Sequence, residues 1–299
     1  MTPMPNKLTV VCQQHLVSMA LESMLYEVSV NPKPGLVDPI DNGTHPDMNV
    51  FMFIDSALSL RPYFEQCVAA ALQFNDVDLT KLFDAIRPAG IEAERVMFKA
   101  TNGVNTHKGA IFSLGILLTA TAYQLKQGGS RLSALSKLIQ KMLTNLIDHD
   151  FNRSGLTSSH HLTAGERQFI KYGFLGIRGE AAAGFPTVFE HAYPFLKERS
   201  GSINQRLLDT LLKIVQFADD SNLIKRSGDP NILNQVRRQV QRYFDLGGSQ
   251  TIDGYQKLLA LNQTFKQQHL SLGGSADLLI LTIFLGIKEN TVNSTHNIV

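Results

Sequence analysis

Gly103-Val104-Asn105-Thr106-His107-Lys108-Gly109 lies between two stretches with helical spacing, Ala85 to Lys99 and Ala110 to Lys126. The loop gathers an amide, a hydroxyl, an imidazole, an ammonium and two glycines, and it feeds directly into an apolar helix. Unpaired backbone N–H groups and the positive end of the helix dipole converge at such a start, and Lys108 adds a full charge, so the loop suits an anion such as phosphate. The same residues would also serve as a plain helix connection, capped by Asn105 or Thr106 with His107 and Lys108 in water.

Outward from this loop the chain keeps a helical rhythm. Leu8, Val11, Cys12, Leu16, Met19, Met24, Leu25 and Val28 recur at threes and fours. Helical patterns follow at about Met48 to Phe74, bent at Pro62, and at Leu79 to Lys99, interrupted at Pro88. Beyond Lys126 come Leu132 to Ile147, a polar loop from His149 to Gly165, and a short helical turn within Ile177 to Pro186. Further helices are expected at about Thr187 to Lys197, Ile203 to Phe217, Pro230 to Phe244, Ile252 to Gln268 and Ala276 to Lys288. No stretch alternates as a strand does, and no repeat of fixed period occurs. The expectation is an all-α single domain, residues 1–299, of ten or more helices, with frayed termini at 1–7 and 289–299.

The 299 residues carry 28 basic and 26 acidic side chains, a net charge of +2, so no general field favours nucleic acid or an anionic membrane. Any anion must be held locally. Cys12 and Cys67 are too few for a disulfide framework and read as buried small hydrophobes in a reducing compartment. Met1 to Lys7 lacks the pattern of a signal peptide, and the longest apolar stretches fall short of the ~20 residues of a spanning helix. A cytoplasmic protein is expected.

Four breaks in the helical rhythm hold most of the chemistry-bearing residues. The Pro-rich loop from Pro32 to Pro46 carries Lys33, Asp38 and Asp41, with Asp47 just beyond it. Its carboxylates suit a hard cation such as Mg²⁺, or simply Asx-turns. The His107-Lys108 loop is the second. Asp219-Asp220-Ser221-Asn222, with Lys225 and Arg226 following, puts two adjacent carboxylates at a helix end, where a cation or an exposed terminus would account for them. Leu272-Gly273-Gly274-Ser275-Ala276-Asp277 is a second glycine-rich start to a helix, suited to phosphate, with Asp277 favourable to the dipole in any case. Arg178-Gly179-Glu180 adds a base and an acid among small residues; Glu180 is a candidate general acid or base, or an ordinary surface partner of Arg178. His149-Asp150 and His160-His161 read as solvated loop residues.

Taken together and in order, Asn31-Pro-Lys-Pro-Gly-Leu-Val-Asp38, Gly103 to Gly109, Arg178 to Pro186, Asp220-Ser-Asn222 and Leu272 to Asp277 resemble the successive motifs of the triphosphoribosyl-dephospho-CoA synthase family. The resemblance runs from about Ala20 to Leu285. It implies transfer of the triphosphoribosyl group of ATP to the 2′-hydroxyl of 3′-dephospho-CoA, releasing adenine. The product would pass to a separate holo-acyl-carrier-protein synthase serving citrate lyase or malonate decarboxylase; a homo-oligomer is left open.

That chemistry needs a carboxylate at an oxocarbenium-like centre, a donor for the leaving base and cations for the triphosphate. Asp220 and Glu180 are the expected catalytic carboxylates, and His107 is the expected proton donor to adenine. Lys33, Lys108, Arg226 and the N–H groups of Gly109 and Gly274, with Mg²⁺, are expected on the phosphates. Asn105, Thr106, Arg178, Asn222, Gly273 and Ser275 complete the expected substrate contacts, and Asp38, Asp41 and Asp277 are the expected metal ligands. An all-α metal-dependent nucleotide phosphohydrolase, built on His107, His149-Asp150 and later aspartates, is the competing reading, and a helical binding module without turnover a third. The transferase reading requires the Thr106 to Gly109 and Gly273 to Asp277 corners to meet.

Overall fold

In the computed structural model, which describes residues 7–151 and 164–292, every regular element among those residues is helical. The first half holds α1 (Lys7–Ser29), α2 (Val50–Ser59), α3 (Arg61–Gln73), α4 (Thr80–Ala100) and α5 (Lys108–Lys126). Next come α6 (Leu132–Met142), α7 (Leu146–Phe151), α8 (Ala164–Tyr172) and α9 (Gly176–Ala182), then a π-helical turn at Thr187–Ala192 leading into α10 (Tyr193–Glu198). The remainder is α11 (Ile203–Phe217), α12 (Ser221–Ser227), α13 (Ile232–Asp245), α14 (Ile252–Gln267) and α15 (Gly273–Lys288).

Two helices lie at the centre because their sequences offer no polar face. From Ser113 to Ala122 every residue of α5 is buried, and so is every residue of α15 from Leu278 to Gly286. The two pack on each other; α5 also meets α3 and α4, and α15 meets α1 and α11. One apolar cluster runs through them from Leu16 to Val292. Gly115 permits a close approach within it: the Tyr63 hydroxyl donates to the Ile111 carbonyl at 3.0 Å, and a Cβ on Gly115 would fall 1.9 Å from the Tyr63 hydroxyl oxygen. Cys67 is buried there, its thiol pushed up to about 12 by burial, an inert core residue as expected. None of the described helices is long and apolar enough to cross a membrane.

The departures from expectation have local causes. Pro62 breaks the Met48 to Phe74 stretch into two helices by starting α3 where its missing N–H costs nothing. Pro88 does not interrupt α4, because Leu82, Phe83 and Ile86 before it and Ala93 and Met97 after it bury one continuous face. α8 forms within a stretch to which no helix was assigned, and α12 is a separate helix starting where a helix end was expected. Glu289 to Val292 is not frayed: the Thr291 and Val292 N–H groups both donate to Gly286 O, and Val292 is buried. His160-His161 lies outside the described residues.

Candidate active site

Three helix starts converge beside the central pair: those of α5, α12 and α15. Each leaves orphan N–H groups that attract an anion. At all three a carboxylate of the protein takes some of those donors.

Asp220 is the N-cap of α12. Its Oδ1 accepts from Asn222 N (2.9 Å), Leu223 N (3.2 Å) and Gly274 N (3.3 Å), and its Oδ2 from Ser275 N (2.7 Å) and Ser275 Oγ (2.8 Å). One buried side chain thus welds the first turns of α12 and α15 together. Burial raises its pKa, opposed by those donors. The glycines of α15 give it room, since a Cβ on Gly274 would sit 3.0 Å from Asp220 Oδ1 and one on Gly273 2.7 Å from Asn222 Nδ2. The N–H of Gly274 and both donors of Ser275 therefore bind Asp220, where a phosphate was expected.

Asp277, a turn further along α15, lies against the start of α5. A Cβ on Gly109 would fall 1.9 Å from its Oδ2, so glycine at 109 makes room for this carboxylate. Its setting is otherwise poor in donors. Burial, then the charges of Glu27 and Asp220, push its pKa well above the carboxylate range, and only the Ala110 N–H opposes them. Thus the Gly109 and Asp277 corners meet as the transferase reading requires, with Asp277 filling part of the anion position.

Glu27 was not anticipated. It lies on the buried side of α1, pairs with Lys33, and both are buried; Lys33 Nζ also donates to Glu27 O at 2.7 Å. The charge of Lys33 is therefore already matched. Lys108 pairs instead with Glu94 (2.7 Å) in a half-exposed position at the cleft, free to exchange partners. Its N–H donates to Asn105 Oδ1 at 3.2 Å. Arg226 donates to His45 Nδ1 (3.1 Å), whose Nε2 lies 3.0 Å from Ser271 Oγ.

These residues surround two joined depressions with a common wall of Asn105, Lys108, Gly109, Asn222 and Asp277. The inner chamber, about 120 Å³, reaches Glu27, Lys33, Phe53, Thr106 and His107. The outer cleft, about 590 Å³, is bordered by Phe174, Ile177, Glu180, Phe217 and Asp219. Glu180 accepts from Thr187 N at 2.8 Å, and burial raises its pKa despite that bond.

Several expected roles need correction. His107 is buried beside Lys33; burial first and that charge second bring its pKa to about 3, so at neutral pH it is a neutral imidazole and no acid. Its buried Nε2 has no partner among the described residues, and an unsatisfied buried polar group costs about 1–3 kcal/mol. Arg178 is absent from both depressions: its Nε donates to Asp150 Oδ2 at 2.6 Å. Burial alone would raise Asp150, yet Arg87, His149 and Arg178 hold it at about 2, an ion-pair cluster in place of the metal ligand that a phosphohydrolase would need. Asp38 and Asp41 line neither depression. Asp38 folds the Pro-rich loop by accepting from Lys33 N (3.0 Å), Ile40 N and Asp41 N (both 2.9 Å). Asp41 holds Gly43 N, Asn262 and Lys266. Of the three expected metal ligands only Asp277 faces the cavities, and no group of three His, Cys, Asp or Glu among the described residues could hold a metal by itself.

Over residues 13–296 the chain matches the family described as ATP:dephospho-CoA triphosphoribosyl transferase. It is 56% identical over 275 residues to the probable 2-(5''-triphosphoribosyl)-3'-dephosphocoenzyme-A synthase of Lactiplantibacillus plantarum, covering 92% of this chain and 97% of that protein. To the protein CitXG of Leuconostoc mesenteroides subsp. cremoris it is 52% identical, covering 91% of this chain and 59% of that longer protein. A probable synthase of the same description from Streptococcus equi subsp. zooepidemicus is 39% identical over 285 residues, covering 91% of this chain and 96% of its own. No solved structure matches the chain. A match along nearly the whole chain, on an all-helical frame that brings the motif loops to one cleft, places this protein in the ATP:dephospho-CoA triphosphoribosyl transferase family.

Proposed function

We propose that the chain transfers the 5-triphosphoribosyl group of ATP to the 2′-hydroxyl of 3′-dephospho-CoA, releasing adenine, at the two joined depressions beside Asp277. The family match supports the reaction, and the observation that supports the place is Asp277 itself: a carboxylate crowded by two others, with one backbone donor and no ion pair among the described residues, on the wall common to both spaces.

A triphosphate brings about four negative charges to a protein of net charge +2, so cations must accompany it. Asp277 fits a divalent cation held in part by phosphate oxygens: it is a hard oxygen donor in no ion pair among the described residues, and Mg²⁺ commonly takes one or two carboxylates plus phosphates and water. Bound there, Mg²⁺ would neutralise phosphate charge. Lys108, released from Glu94, would reach the same phosphates; Arg226 lines neither depression and stands behind His45 of the inner chamber.

Substitution at the anomeric carbon needs a base for the attacking hydroxyl. Glu180 borders the large cleft with a raised pKa, which suits it to take that proton; Asp220, occupied by five donors, is assigned to structure. The product is then available to a separate holo-acyl-carrier-protein synthase, and a cytoplasmic setting supplies both substrates.

The test is incubation with ATP, dephospho-CoA and Mg²⁺. Adenine release that requires dephospho-CoA supports the transfer; phosphate release without adenine contradicts it.

A further inference from the structure

His107, on the wall of the inner chamber, has a buried ring nitrogen, Nε2, with no hydrogen-bond partner among the described residues. Ser56 of α2 is fully buried, so its hydroxyl proton needs an acceptor. Thr106 Oγ1 donates to Ser56 Oγ at 2.7 Å, and Ser56 Oγ lies 2.7 Å from His107 Nδ1. With Thr106 donating to it, Ser56 donates its own O–H to Nδ1 as a hydrogen bond, and the N–H of the neutral ring is then on Nε2. Among the described residues nothing accepts from this buried Nε2. Phe53 meets the ring edge-on at 4.9 Å and restrains its plane.

The chamber also indicates what kind of acceptor belongs there. Lys33 is balanced by Glu27 and Asp277 adds a carboxylate, while Lys108 stands on the wall shared with the outer cleft, so phosphate charge is met at that shared wall and not deeper in the chamber. Leu36, Val37, Met48 and Ile280 give it apolar walls, beside the polar Asn105, Asn222 and Ser271. Apolar walls interrupted by neutral polar groups suit a heteroaromatic ring, which offers apolar faces and ring nitrogens at its edge.

Building on the transfer proposed above, we infer that the inner chamber holds the leaving purine, and that His107 Nε2–H, its tautomer fixed by the Thr106 to Ser56 relay, donates to a purine ring nitrogen. In the transfer the C1′–N9 bond breaks with its electron pair going to N9, the acceptor 2′-oxygen bonds to C1′, and the proton lost by that hydroxyl ends on adenine. His107 keeps its own proton throughout. Its hydrogen bond stabilises the charge that builds on the ring as the bond opens. Ser56 is a positioning residue, since it acts only through the imidazole.

The test compares initial rates with ATP, 7-deaza-ATP and 3-deaza-ATP, each with dephospho-CoA, for the full chain and its Ser56→Ala and His107→Phe variants. For the analogue lacking the nitrogen that His107 contacts, the ATP-to-analogue rate ratio is expected to fall about tenfold from wild type to His107→Phe, and part of the way in Ser56→Ala. Nitrogen-15 NMR is expected to show His107 protonated at Nε2 in wild type and as mixed tautomers in Ser56→Ala. Ratios unchanged for both analogues, or a ring protonated at Nδ1 in wild type, would overturn the assignment. A wild-type protein that releases adenine but shows no such coupling refutes this inference alone, whereas one that releases none removes the transfer reading and the inference with it.

Discussion

Asp220 and Asp277 occupy matching positions and do different work. Both are acids beside helix starts, both are tied to α15, and each is the reason for a glycine opposite it, Gly274 and Gly109. Asp220 accepts from four backbone N–H groups and a hydroxyl. Asp277 has one opposing backbone donor against burial and two neighbouring carboxylates. A saturated carboxylate has no capacity left for a ligand; an unsaturated one gains from a cation. The contrast teaches that in this fold the count of donors around an acid, not its place beside a glycine-rich turn, separates fastener from functional group.

The largest expected effect tests the fastener. Asp220→Asn puts an N–H₂ among five donors, and should cost about 3–5 kcal/mol in urea denaturation, with activity per folded molecule largely kept. Activity lost without loss of stability would reverse the roles of the two acids.

Next is the pair behind Asp277. Lys33→Met strands the buried Glu27 carboxylate and should cost about 3 kcal/mol, much of it restored in the Lys33→Met/Glu27→Leu double variant. A single variant as stable as wild type would show that this pair does not organise the chamber.

For Asp277→Asn the expected loss is about a hundredfold in dephospho-CoA-dependent adenine release, roughly 2.7 kcal/mol, with no loss of fold. Its folded pKa is raised above 3.8, so between the two values the native state binds more protons than the unfolded one. The stability Asp277 lends is full below the unfolded pKa and lost as pH rises through the folded one. Asp277→Asn should therefore melt higher than wild type near neutrality, and the gain should vanish at about pH 4. A variant that melts lower at neutral pH would place Asp277 with Asp220.

The smallest effect belongs to the half-exposed Lys108. Removing it as Lys108→Ala should raise KM for ATP a few-fold and leave kcat within about twofold, since exposed ion pairs contribute about 0–1 kcal/mol.

Much of the frame was legible in the sequence, because apolar spacing dictates burial. Both α5 and α15 appear as nearly continuous apolar runs, and the motif loops were expected to fold back together, which their ends do. The division of labour among the acids was not legible. Spacing puts Asp38, Asp220 and Asp277 beside turns or helix starts alike, and only the fold decides how many N–H groups each receives. Glu27 carried a signal that was passed over: it falls on the same side of α1 as Leu16, Ala20 and Met24, where a lone acid demands a partner. No sequence pattern connects Ser56 to His107, fifty-one residues apart, because the contact depends on α2 packing across the mouth of the loop. Arg178 misled for the opposite reason: its neighbour Glu180 borders the cleft, but the helical twist of α9 turns the arginine toward Asp150.

The contrast between the two acids rests on how strongly Asp277 resists ionising. Carbon-13 NMR of the aspartate carboxyls, with the signal assigned by its loss in Asp277→Asn, measures this directly. Asp277 is expected to titrate well above the ordinary carboxylate range in the free protein and to move down when Mg²⁺ and ATP are added together; a midpoint at or below that range, unmoved by Mg²⁺ and ATP, would contradict the account.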